Sequence, residues 1–243
     1  MEDFTVEKPE GRNPVLEDSG MGKFRWIAGI LLISAVLCGC GETEEGKSKT
    51  AEAAGAEVEI LKDGSILETM TETFDKSYYD ETNLRDMLLA EVADFNEGLE
   101  EGNVTVDKFE NTDGKLTVSV KYPSADVYSA YNTDPYNNKA LFSGTIAQAH
   151  EAGHSFDISM TDVNGEKTIG KDDILGMGSS MVLISESPMR VKVAGKILYV
   201  GENVEALGKG RAEMKAGENG ESLGKYYIIY KYGNGCSRKG EWV

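Results

Sequence analysis

Cysteine and histidine are scarce in this chain, with three cysteines and two histidines among 243 residues. A fold built on disulfide bonds needs several cysteine pairs, so this count excludes a disulfide scaffold. The two histidines, His150 and His154, lie four residues apart. Any histidine-dependent metal or catalytic chemistry is therefore limited to one short segment of the chain.

Basic residues are also few, with 25 Lys and Arg against 42 Asp and Glu and a formal net charge of −17. An electrostatic field of this sign repels nucleic acid, so we expect no nucleic-acid partner. The same field disfavours adsorption to anionic lipid. Attachment to a membrane would therefore need something other than surface charge.

An uncharged apolar run stands near the N-terminus. Lys23 and Arg25 precede it, it covers residues 26–37, and Leu-Cys-Gly-Cys at residues 37–40 ends it. The run is too short to cross a bilayer comfortably and has the length of a signal-peptide core. This ending resembles the lipobox of bacterial lipoproteins, in which an aliphatic residue, two small residues and a cysteine follow such a run.

This resemblance implies a modification and a location. In that family the thiol of the lipobox cysteine, here Cys40, receives a diacylglycerol, and cleavage before it removes the signal peptide, here residues 21–39. Two acyl chains anchor a protein stably, whereas a single chain binds only marginally. The implied product is lipid-anchored on the extracytoplasmic face of the cell membrane. Cys236 would then be its one remaining thiol, and the Gly-rich tail around it favours a bystander role.

The first twenty residues do not fit a signal peptide. Residues 1–20 hold six acidic and two basic side chains, which opposes the preference of signal sequences for positive charge. The simplest interpretation is that Met21 is the true start of the protein. The alternative is that residues 1–20 form a short cytoplasmic leader.

The residues after the lipobox indicate a tether followed by a folded body. Residues 40–56 are small, polar and charged, which predicts a flexible tether. The body is expected over residues 57–243, as one unit or as two subdomains at 57–160 and 161–243. Removing residues 1–39 takes away six acidic and four basic side chains and leaves a net charge of −15.

The pattern from residue 57 to 122 predicts a helix laid over an antiparallel sheet. Alternating apolar residues on both sides of Asp63-Gly64 indicate one hairpin, and those around 112–114 indicate a second. Between the hairpins, apolar residues recur at helical spacing; they are Leu84, Met87, Leu88, Val92, Phe95 and Leu99. The expected fold class is α+β, with a long amphipathic helix packed on one face of the antiparallel sheet and a β-rich C-terminal half.

The second half of the chain predicts short elements. A short helix or a turn is expected at 124–131, another helix at 140–152 and a helical turn at 171–175. Strands are expected at 155–163, 181–185, 189–194, 196–200 and 225–232. Ala194-Gly195 is expected to form a tight hairpin turn, and residues 201–223 a loop with at most one helical turn.

The two histidines belong to the sequence His150-Glu151-Ala152-Gly153-His154, which resembles the His-Glu-x-x-His motif of zinc metalloproteases. The resemblance implies that His150 and His154 bind zinc and that Glu151 is the general base. Against it, Gly153 is a helix stop signal, Ala152 replaces the usual bulky apolar residue, and a third histidine is lacking. We therefore expect no cofactor, with zinc needed only if the protein is a metallohydrolase.

Three tyrosines flanked by asparagines are candidates for ligand binding. Tyr128, Tyr131 and Tyr136 could stack on a sugar ring or on a protein partner, because tyrosine has a rigid apolar face and a polar tip. The alternative is an ordinary loop whose tyrosines are partly buried.

The body has a strand hairpin, a Tyr-Tyr-Asp step at 78–80, a helix and a Phe-Ser-Gly-Thr-Ile run at 142–146. This arrangement resembles uncharacterised cell-surface lipoproteins of bacteria, which implies no known activity. The expected function is a lipid-anchored binding or interaction module at the cell envelope, with an envelope protein or a glycan as its partner. The alternatives are a zinc-dependent metallohydrolase and a structural or assembly factor of the envelope.

Overall fold

The structure is a computed structural model that describes residues 55–133 and 139–232. Strands account for 41% and helices for 20% of these residues. The strands are β1 (Gly55–Ile60), β2 (Ile66–Thr73), β3 (Thr105–Thr112), β4 (Lys115–Tyr122), β5 (Leu141–Thr145), β6 (Met160–Asp162), β7 (Thr168–Ile169), β8 (Met181–Ser185), β9 (Arg190–Val193), β10 (Gly195–Val200), β11 (Val204–Gly208), β12 (Arg211–Met214) and β13 (Tyr226–Tyr232). The helices are α1 (Glu81–Asn96), α2 (Ala125–Asn132), α3 (Ile146–Glu151) and α4 (Lys171–Leu175). In these two ranges, no helix combines the length and the apolar character that crossing a membrane requires.

The strands form two sheets. The larger sheet has seven strands in the order β11-β12-β9-β1-β2-β4-β3, and the smaller has six in the order β5-β8-β13-β10-β6-β7. In the larger sheet β1 and β9 pair in parallel, with Glu57 opposite Arg190 and Ile60 opposite Val193. The other neighbouring strands pair antiparallel. This parallel pair joins the N-terminal hairpins to the C-terminal half of the chain.

The smaller sheet is buried on both faces, as its central strand β13 illustrates. Tyr226, Ile228 and Tyr230 pack into a core that residues of the larger sheet share. Tyr227 and Ile229 point the other way, into a second core to which α3 and α4 contribute. Because successive side chains of a strand point to opposite faces, a strand between two apolar layers needs a continuous apolar run. The larger sheet, the smaller sheet, and helices α3 and α4 therefore form three successive layers.

The expected fold class is wrong. The described residues form two sheets, one of them mixed, instead of one antiparallel sheet under a long amphipathic helix. The predicted helix is present as α1, but its buried residues are Leu88 and Val92. The physical reason is that the smaller sheet packs its own apolar face into the same core, so strands supply most of the buried side chains.

Predictions that rest on strong turn signals are confirmed. Residues on both sides of Asp63-Gly64 pair as the β1–β2 hairpin, and those around 112–114 pair as the β3–β4 hairpin. Helix α1 begins after Asp80, whose Oδ1 accepts a hydrogen bond from the Asn83 amide at 2.9 Å.

Three of the other elements are corrected. The helix expected at 140–152 is β5 followed by α3, because Thr145 and Gln148 form a capping box that starts the helix at Ile146. The strand expected at 155–163 is reduced to β6. The loop expected at 201–223 contains the β11–β12 hairpin.

The hairpin turn expected at Ala194-Gly195 is also wrong. Strand β9 belongs to the larger sheet and β10 to the smaller, so the chain crosses between the sheets at this point. The Ala194 amide donates to the carbonyl of Ile60 at 3.1 Å. A Cβ at position 195 would collide with the carbonyl oxygen of Lys231. Gly195 is therefore required by the close approach of two backbones.

We expect Gly195→Ala to lower the free energy of unfolding by roughly 1–3 kcal/mol, because the added methyl group overpacks against backbone. Urea denaturation followed by circular dichroism measures the change. Gly98→Ala is the matched control, since its Cβ would meet the Phe95 carbonyl oxygen at an ordinary 3.6 Å. Equal stability of the two variants would contradict the crossing described for Gly195.

Candidate functional site

Helix α3 ends inside the His-Glu-x-x-His segment. Gly153 has a φ of +85°, a conformation that favours glycine. Its amide donates to the carbonyl of His150, and the His154 amide donates to that of Ala149, both at 3.0 Å. These two bonds form a Schellman motif, which ends a helix. His154 therefore follows the helix end and is not one helical turn beyond His150 on a continuous helix.

Both histidines line a polar cleft of about 230 Å³, together with Asp157 and Lys171. The Lys171 ammonium lies 2.6 Å from Asp157 Oδ1, so the carboxylate in the cleft already has a cationic partner. Glu151, the residue expected to act as general base, is exposed. Within residues 55–133 and 139–232, no group of three or more His, Cys, Asp or Glu side chains is arranged to hold a metal ion.

His154 has an environment that favours its neutral form. Its ring packs against Phe142, with 4.7 Å between the ring centroids. Burial is the main cause that lowers the pKa of His154, and the positive charge of Lys225 lowers it further. The carboxylate of Glu186 opposes this effect. A neutral imidazole can accept a proton.

The structure places the candidate tyrosines in different environments. Tyr128 is fully buried, so stacking on a ligand would require it to leave the core. Tyr131 is half-buried and makes edge contacts with Phe95 and Tyr122, at centroid distances of 5.0 and 5.4 Å. Tyr136 lies outside the described residues, as do Cys40 and Cys236.

A buried polar cluster, which the sequence analysis missed, surrounds Glu68 on β2. Glu68 is 3% exposed, and its Oε2 accepts a hydrogen bond from the Tyr122 hydroxyl at 3.1 Å. Its Oε1 lies 3.5 Å from the ammonium of Lys139, whose side chain is 15% exposed. The sequence contains one sign of this cluster. Ile66, Glu68 and Met70 alternate on one face of the predicted strand, so an acidic residue stands between two apolar residues that face the core.

Burial is the main electrostatic effect on the tyrosines of this cluster. It raises the pKa of Tyr122 and of Tyr128 well above the usual value, and the charge of Glu68 raises both further. Both hydroxyls therefore stay protonated, and each can donate to the Glu68 carboxylate. An ion pair and hydrogen bonds of this kind offset the cost of burying a carboxylate.

The polar cluster borders a small cavity between α1 and the larger sheet. Glu68, Tyr122 and Asn132 line its polar side, and Leu88 and Phe109 are among its apolar lining. Its volume is about 30 Å³, which is enough for about one water molecule and far below the several hundred Å³ of a typical small-molecule site. The cluster is therefore a stabilising network rather than a preformed substrate pocket.

We expect Tyr122→Phe to lower the free energy of unfolding by about 1–2 kcal/mol, because it removes a donor from a buried carboxylate. Thermal and urea denaturation measure the loss. Tyr78→Phe is the matched control, because Tyr78 is 77% exposed, and it should change the stability by less than about 0.5 kcal/mol. An unchanged stability of Tyr122→Phe would show that the hydrogen bond to Glu68 does not stabilise the fold.

We expect the His154 imidazole to titrate below the usual 6.5 in an NMR experiment. Because the folded state favours the neutral ring, the free energy of unfolding should fall as the pH drops through 6.5 towards the lowered pKa. Phe142→Ala exposes the ring and should move the pKa back towards 6.5. Val163→Ala, at an exposed residue, should leave it unchanged.

The same NMR spectra test the zinc alternative. Equimolar zinc should leave the imidazole signals of His150 and His154 in place, since the described residues supply no third ligand. Simultaneous shifts of both signals, lost in His150→Ala, would instead establish a zinc site in the cleft.

No protein-family model matches this chain, and neither the curated proteins nor the solved structures compared with it show significant similarity.

Proposed function

We propose that this protein is a lipid-anchored binding or interaction module on the extracytoplasmic face of a bacterial cell membrane. Cys40 is the lipid attachment residue in this proposal. The charge pattern, the apolar run and the Leu-Cys-Gly-Cys sequence at residues 37–40 support it, because they occur in the order typical of lipoproteins.

The observation that carries the proposal is this order of charge, apolar run and cysteine, and the position of β1 in the fold is compatible with attachment through the N-terminus. The strand begins at Gly55, 15 residues after Cys40, and lies inside the larger sheet with β2 on one side and β9 on the other. A strand paired on both sides separates less easily than an edge strand, because backbone hydrogen bonds on two sides must break. A body attached through its N-terminus would therefore stay folded under a pull from the anchor.

The geometry supports binding better than zinc hydrolysis. Catalytic zinc sites use three protein ligands and a water, whereas the cleft at His150 and His154 brings together two imidazoles and a carboxylate that is already paired with Lys171. The net charge of −15 that remains after removal of residues 1–39 also affects which partners can bind. It favours an envelope protein or a neutral glycan over nucleic acid.

We expect Cys40→Ser to abolish lipid attachment and to release the protein from washed membranes, or to leave it unprocessed with its signal peptide. Metabolic labelling with a radioactive fatty acid and membrane fractionation measure both effects. Cys38→Ala is the matched control, because it keeps a small residue at the lipobox position before Gly39 and should be labelled and retained like the wild type. A labelled, membrane-bound Cys40→Ser protein would refute the proposal.

A further inference from the structure

The strand ends around Gly55 form one end of the larger sheet, which we call the tether end. Gly55 lies opposite Thr71, and β2 continues to Thr73. The Phe74 amide then donates to the carbonyl of Gly114, in the β3–β4 turn, at 2.7 Å. At about 3.3 Å per strand residue, Phe74 lies roughly 10 Å along the sheet from the point where the chain enters it.

Three aromatic rings contact one another at the tether end, and two of them are exposed. Phe74 and Tyr79 have centroids 4.5 Å apart with nearly parallel rings, and Tyr78 meets Tyr79 edge-on at 4.9 Å. Tyr78 is 77% exposed and Tyr79 41% exposed, although both are large aromatic side chains. Tyrosine has an apolar ring and a polar hydroxyl, so it favours a surface that is apolar on one side and wet on the other.

The chain between Cys40 and Gly55 limits how far this end can be from an anchoring membrane. Fifteen residues span at most about 50 Å when fully extended. Tyr78 and Tyr79 therefore belong to the end of the body that the anchor keeps closest to the lipid.

Building on the lipid attachment at Cys40 proposed above, we propose that the tether end docks on the membrane with Tyr78 and Tyr79 in its interfacial region. Tyrosine is enriched at the membrane–water interface, where the ring and the hydroxyl each find a suitable environment. The body then has a fixed orientation on the membrane instead of turning freely on its tether, and the opposite end of the sheet faces outward.

The charges next to the aromatic rings specify the lipid. Asp75, Asp80 and Glu81 flank the two tyrosines and are exposed, and Lys76 lies 3.5 Å from Asp75. The net negative charge of this surface disfavours anionic headgroups, since like charges repel at short range. Docking should therefore be strongest on a zwitterionic membrane and should weaken as the fraction of anionic lipid rises.

Leu207 provides a matched control at the other end of the same sheet. It is 51% exposed and lies where β11 turns into β12. Strand β12 begins at Arg211, opposite Lys192. Lys192 lies opposite Glu59 in the sheet, near the end of β1 that is farthest from Gly55. Leu207 is therefore an exposed apolar residue that faces away from the membrane in the proposed orientation.

The experiment uses the full lipidated protein in phosphatidylcholine vesicles and measures tryptophan quenching by brominated lipid. Cleavage before Cys40 removes Trp26, so Trp242→Phe gives a tryptophan-free background. Into this background we introduce Tyr78→Trp or Leu207→Trp. We expect bromolipid to quench the Tyr78→Trp protein at least twofold more strongly than the Leu207→Trp protein. Replacing half of the lipid with phosphatidylglycerol should reduce the difference. Unchanged melting temperatures establish that both variants fold.

Other results separate this inference from the proposed function. If the protein stays with washed vesicles but the two variants are quenched equally, the anchoring stands and the docking is refuted. If the protein leaves the vesicles, the anchoring itself fails. If bromolipid has no effect but soluble chitin oligosaccharides shift the emission of the Tyr78→Trp protein, the aromatic rings bind glycan and the docking is again refuted.

Discussion

The parallel pairing of β1 with β9 is the contact on which the rest of the structure depends. It places the first strand of the body between the N-terminal hairpins and the C-terminal half, with Val58 opposite Val191 in the buried core. Immediately after β9, the chain crosses at Ala194-Gly195 into the smaller sheet. Loss of this pairing would separate the N-terminal hairpins from the C-terminal strands of the larger sheet.

The polar groups of the interior follow from this arrangement. Stacking the second sheet on the first fills the core and leaves Glu68 beside α1 and α2. There the Tyr122 and Tyr128 hydroxyls and the Lys139 ammonium are the polar partners of its carboxylate. The cavity beside Glu68 holds about one water molecule. The features suited to external contacts are instead at the surface: the histidine cleft on the helix layer, and the aromatic rings at the tether end.

The sequence predicts the local parts of this fold and misses the long-range ones. Asp63-Gly64 and the residues around 112–114 are strong turn signals, so both hairpins follow from local backbone preferences. The β1–β9 pair joins residues that are far apart in the chain, such as Glu57 and Arg190, and no alternation within either strand indicates its partner. The Ala194-Gly195 dipeptide resembles a turn, and nothing local distinguishes a hairpin from a crossing between sheets. At the candidate site, Gly153 correctly indicates the end of α3, whereas the cluster around Glu68 depends on side chains that only the tertiary fold brings together.

Mass spectrometry of the N-terminal peptide of the membrane-extracted protein tests the central claim most directly. Our account predicts a mature chain that begins at Cys40 and carries the mass of a diacylglycerol on its sulfur. A peptide in which Cys40 is unmodified, or in which residues 26–39 are still joined to it in the membrane-bound protein, would contradict the account.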